Sequence, residues 1–99
     1  MDTIETALIN ILCKEVTAYA GEWLGMDGKP SMFYYVENPD EQICCVLAQK
    51  KAWRNQPELV IVARIVKGQI IIDLDKTDKP LCEALERAGV PNHQIVVVE

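Results

Sequence analysis

The chain has 99 residues, of which 49% are hydrophobic and 25% charged, and a formal net charge of −5. That length holds one compact domain able to bury a core without disulfides, and it excludes two. The acidic balance excludes a general nucleic-acid binder, since phosphate neutralisation supplies essentially all of non-specific affinity.

Asp2 and Glu5 have the spacing of a capping box, with Asp replacing the usual Ser or Thr. Ile4, Leu8, Ile11, Leu12, Val16 and Tyr19 then recur at helical spacing, which predicts a helix over residues 3–20. The same two acids stand where a secretory signal would be basic. The longest apolar run, residues 43–48, falls far short of the roughly 20 residues of a membrane span. A cytoplasmic location without membrane contact is the expectation.

Gly21, Gly25, Gly28 and Pro30 predict a loop in which Trp23 and Met26 fold back onto the core. Residues 32–36 read as an aromatic strand, and Asn38-Pro39-Asp40 as a turn with Pro at its second position. A hairpin with residues 42–49 follows, in which both the Ile43, Cys45, Leu47 set and the Cys44, Val46, Ala48 set are apolar. Residues 50–58 form a polar loop around Trp53 and Pro57.

Residues 59–63 are apolar throughout, as in a central strand covered on both faces. Residues 69–75 alternate, placing Ile70, Ile72 and Leu74 on one face and Gln69, Ile71, Asp73 and Asp75 on the other. Between them Gly68 tolerates positive φ, but Lys67 is not the Asn or Asp that a type I′ turn prefers, so a bulged hairpin is expected. A second helix follows, with Thr77 or Asp78 as its cap, Pro80 in its first turn, Gly89 at its end and Pro91 beyond. Leu81, Ala84, Leu85 and Ala88 form its packing stripe, and residues 95–98 supply a last strand.

The order α-β-β-β-β-α-β predicts an α+β fold: a mixed, mostly antiparallel five-stranded sheet with an N-terminal helix and a second helix before the last strand. Two helices are too few to cover both faces of a sheet whose inner strands are apolar on each side. A homo-oligomer, with a dimer favoured, is therefore predicted.

Few residues suggest chemistry. Cys13, Cys44, Cys45 and Cys82 include no C-x-x-C pair and are read as free thiols, since adjacent Cys44 and Cys45 point to opposite faces of a strand. Asp73 and Asp75 on one strand face, with Thr77 and Asp78, are the best oxygen cluster, yet they lack the glycine and distal glutamate of a calcium loop. His93 has no recognisable nucleophile beside it. No catalytic, metal or cofactor set emerges, and no enzyme is expected. Charge is uneven, residues 1–49 summing to −6, residues 69–99 to −3 and residues 50–68 to +4. Within the positive stretch Lys50, Lys51, Trp53 and Arg54 combine cations with an aromatic, the ingredients of a nucleic-acid or partner contact. Any DNA contact there would be local and weak.

The run Lys67-Gly68-Gln69-Ile70-Ile71-Ile72, then Thr77-Asp78, Leu85 and Ala88-Gly89-Val90-Pro91 leading into Gln94-Ile95-Val96, resembles the C-terminal half of the XisI family. The resemblance implies a single XisI-like domain over residues 1–99. It also implies the role of these cyanobacterial controlling factors in excision of a DNA element, beside a recombinase and a companion protein, XisH. On that basis a non-enzymatic regulatory protein acting through protein contacts is expected. The alternative is a small ligand-binding or enzymatic α+β domain whose site the sequence does not reveal.

Overall fold

The computed structural model describes residues 3–24, 28, 30–50 and 56–98. Helix α1 (Thr3–Thr17) is followed by strands β1 (Gly21–Leu24), β2 (Pro30–Asn38), β3 (Ile43–Lys50), β4 (Glu58–Val66) and β5 (Gln69–Asp75). Helix α2 (Leu81–Arg87) and a 3-10 turn (Asn92–Gln94) then lead into β6 (Ile95–Val97). The strands lie in the sheet in chain order, every pair antiparallel except the last, where β6 runs parallel to β5 after the helical crossover.

The sheet has six strands rather than five, because part of the expected glycine loop is β1. Gly21, at φ 117, turns the chain out of α1 in a conformation that L-residues avoid. The chain then pairs along β2, from Gly21 opposite Phe33 to Leu24 opposite Pro30. Pro30 fits there because the first residue of a strand need not donate to the ladder. The early exit also ends α1 three residues short of the expected boundary.

Both helices pack on one face of the sheet. Leu8, Leu12 and Val16 of α1 and Leu81 and Leu85 of α2 form a single core with Cys44 and Val46 of β3, Ile61, Ala63 and Ile65 of β4, and Ile70 and Ile72 of β5. Each such side chain contributes roughly 1.5–3 kcal/mol on burial if it is the size of Val or larger. The opposite face, carrying Tyr34, Val36, Cys45, Leu47, Leu59 and Val62, has no helix against it among the described residues. The central strands are therefore covered on one side only.

Turn chemistry follows the sequence in one hairpin and departs from it in the other. Asn38 Oδ1 accepts from the backbone N–H groups of Asp40 (3.1 Å) and Glu41 (3.3 Å), closing the Pro39 turn. Between β4 and β5, Val66 pairs with Gln69 across two residues, and both have positive φ, Lys67 at 50° and Gly68 at 76°. That is a type I′ turn, not the expected bulged hairpin; its twist matches the flanking strands well enough to hold a lysine in the left-handed region.

The irregularities lie further along the ladders. A shift after Val62 on β4 leaves Asp73 as the extra residue on β5, and a shift after Val46 on β3 leaves Val60 extra on β4. Each bulge reverses the alternation beyond it. Leu74 and Leu59 turn to the helix-free face, while Asp75 and Glu58 turn to the helical one.

Candidate functional site

The first bulge dismantles the aspartate cluster that simple alternation implies. Asp73 stays on the helix-free face, where Arg64 donates to it through Nε (2.8 Å) and a second guanidinium nitrogen (3.3 Å). Asp75, on the other side, accepts from Thr77 N (2.9 Å), Thr77 Oγ1 (2.6 Å) and Leu81 N (2.7 Å). Asp75 is thus the cap of α2 in place of Thr77 or Asp78: Pro80 occupies the N-cap position and has no side-chain acceptor to offer. The other end of α2 follows the sequence. Gly89, at φ 102, donates to Glu86 O, and Val90 donates to Leu85 O, a complete Schellman motif.

The second bulge shapes a groove of about 620 Å³ at the β1 end of the helical face. Tyr19, Trp23 and Phe33 form its aromatic wall, Val60 and Ala48 line it, and Lys76, Lys79, Glu58 and Asp78 supply its charges. Local contacts fix the wall. Trp23 Nε1 donates to Tyr19 O (3.0 Å), the Tyr19 hydroxyl donates to Lys79 O, and the Lys79 ammonium sits 5.9 Å from the Trp23 ring centroid. The extra residue Val60 keeps its carbonyl paired, with Lys76 N at 2.9 Å. The groove presents a flat apolar wall beside cations and carboxylates of both signs. Sequence reading missed it because its lining comes from the turn after α1, from four strands and from the β5–α2 link; the one local signal was an aromatic residue, Trp23, set in a glycine-rich interval.

Beside the core Tyr35 is partly buried. The Tyr35 hydroxyl is buried without a well-formed hydrogen bond, with the thiols of Cys13 and Cys44 as neighbours, and Cys13 Sγ donates to Glu37 Oε2 at 3.5 Å. Burial pushes the Cys44 thiol up to about 12, with the neighbouring Cys13 and Cys45 adding to the shift. Burial and the charge of Glu37 raise Cys13 despite a contact with Tyr35, and burial raises Tyr35 and Cys45. These shifts disfavour the thiolate, which is the nucleophilic form. All four cysteines are free; Cys44 is buried and its neighbour Cys45 half-buried on the opposite face.

Of the basic patch, Lys50 closes β3, while Lys51, Trp53, Arg54 and the Lys50 side chain lie outside the described residues. His93 is exposed in the 3-10 turn, where its carbonyl accepts from Gln69 Nε2 at 3.3 Å. Among the described residues no three His, Cys, Asp or Glu side chains converge as metal ligands. No described helix is long and apolar enough to cross a membrane.

An N-terminal helix, a long antiparallel meander and a short helix leading to a parallel last strand define a one-sided α+β sheet protein, and solved structures share this arrangement. A XisI-like protein from Anabaena variabilis ATCC 29413 superposes with a TM-score of 0.64, over 93% of this chain and 80% of its own, at 17% identity. The fdxN element excision controlling factor XisI from the same organism gives a TM-score of 0.59, over 93% of this chain and 79% of its own, at 14% identity. The fold of this chain is that of the XisI-like proteins, as the hairpin-helix resemblance implied. No family model matches the sequence, and no curated protein does.

Proposed function

We propose that the chain is a non-enzymatic accessory protein of the XisI type that works through protein–protein contacts in the excision of a DNA element, beside a XisH-like companion. The observation that carries this reading is the shared fold with an excision controlling factor over 93% of the chain. The raised thiols of Cys13 and Cys44 bear only on nucleophilic cysteine chemistry, which they disfavour. Co-expression with a XisH-like protein tests it: the two should co-purify, and excision of a reporter element by its recombinase should change when this chain is supplied. A pair that never associates, together with excision indifferent to the chain, overturns the proposal.

The groove favours a second reading, a small-ligand site in which a flat apolar group stacks on Trp23. Aromatic ligands that quench tryptophan fluorescence saturably, and lose that effect in Phe33→Ala and Lys79→Ala, would support it.

A further inference from the structure

We propose that the helix-free face of the sheet is a self-association surface on which a second copy of this chain docks about a twofold axis. The face is apolar and open: Tyr34, Val36 and Leu59 are 45%, 47% and 43% exposed, and Leu47, Val62 and Ile71 lie half-buried among them. The side chain best able to fold over it is committed elsewhere, since Trp23 lies on the helical side within the groove.

Charge selects the occupant. Each copy carries −5, so two copies repel one another on approach. On this face the charged side chains that the central strands β2 to β5 present, among the described residues, are Arg64 and Asp73, which neutralise each other in a two-bond ion pair, while Glu22 of β1 lies at the edge of the sheet opposite Met32. An isologous interface must match itself, and a neutral apolar patch does so where a charged one would not. A nucleic acid has nothing here to neutralise its phosphates.

Area agrees. The chain exposes 6700 Å², whereas a monomer of its mass is expected to expose about 5,700 Å². Its radius of gyration is 14.0 Å, against about 12.6 Å for a compact chain of its length. The excess of roughly 1,000 Å² belongs to the chain as a whole, and it is of the order of the roughly 800 Å² that each partner gives to a standard interface.

The inference does not depend on the excision reading, and its test is separate. Sedimentation of the full chain at micromolar concentration should give twice the 11.1 kDa chain mass. Val36→Glu and Leu59→Glu are both exposed positions, so the circular dichroism spectrum should be retained while the dimer dissociation constant rises about a hundredfold for each, as symmetry places every substitution in the interface twice. Lys79→Glu, on the helical side, should leave association unchanged. A chain that stays at monomer mass, including one whose face serves a different protein, overturns the proposal. So does a dimer that survives both glutamates, or one lost only in Lys79→Glu.

Discussion

Asp75 holds three donors with two oxygens and ties the end of β5 to the start of α2. Asp75→Ala removes both a helix cap and a turn acceptor and should cost about 2 kcal/mol, read as a lowered denaturant midpoint. Asp73, two residues away, has only an exposed ion pair, so Asp73→Ala should cost less than about 1 kcal/mol. Equal losses would mean that the bulge does not separate the two carboxylates. Cys44 yields a pH signature. Its value in the fold is raised to about 12 from an ordinary 9.0, so its contribution is complete below pH 9.0 and is lost as pH climbs toward 12. Cys13, Tyr35 and Tyr19, all raised mainly by burial, act in the same alkaline direction. Urea midpoints should therefore fall across that window, and Cys44→Val should flatten the fall; an unchanged slope in the variant would contradict it.

At the scale of elements, two positive-φ positions should respond with opposite signs. Lys67 spends strain in the type I′ turn, and Lys67→Asn should stabilise the hairpin by roughly 0.5 kcal/mol, because Asn enters the left-handed region more easily. Gly89 already suits its place in the Schellman motif. Gly89→Ala should cost about 1 kcal/mol through backbone strain alone, since a Cβ there would meet no atom within 4 Å. Thermal midpoints of the two variants, displaced in opposite directions from the parent, check both. The elements legible in the sequence were those with dense local signals: the periodic stripe of α1, the Asn38 turn, the alternation of β5 before its bulge, and the Gly89 stop. β1 was not legible, because its four residues are exposed and carry no alternation; its pairing with β2 makes it a strand.

At the scale of the whole molecule, charge sets what the chain can approach. Lys50, Lys51 and Arg54 concentrate positive charge along the sequence beside an aromatic, Trp53, and they adjoin an acidic remainder. DNA binding through them should be weak and lost with added salt. Reversing all three to Glu takes the net charge from −5 to −11, as each reversal changes it by two. The triple variant should shift no labelled duplex at low salt while keeping its thermal midpoint. Retained binding would place any DNA contact elsewhere on the molecule.

The sequence by itself determined the class: helix first, a meander of apolar strands, a capped helix and a last strand, with more apolar strand surface than two helices can cover. These features are local, written in periodicity, turn residues and caps within a few positions of where they act. Tertiary structure alone decided which face is covered and which residues share it. Residue spacing told of one uninterrupted alternation through Asp73 and Asp75, but pairing with β4 inserted a bulge between them and sent one to an ion pair and the other to cap a helix. Register belongs to the hydrogen-bonded pair of strands rather than to either strand, and a shift of one residue reverses every side chain beyond it.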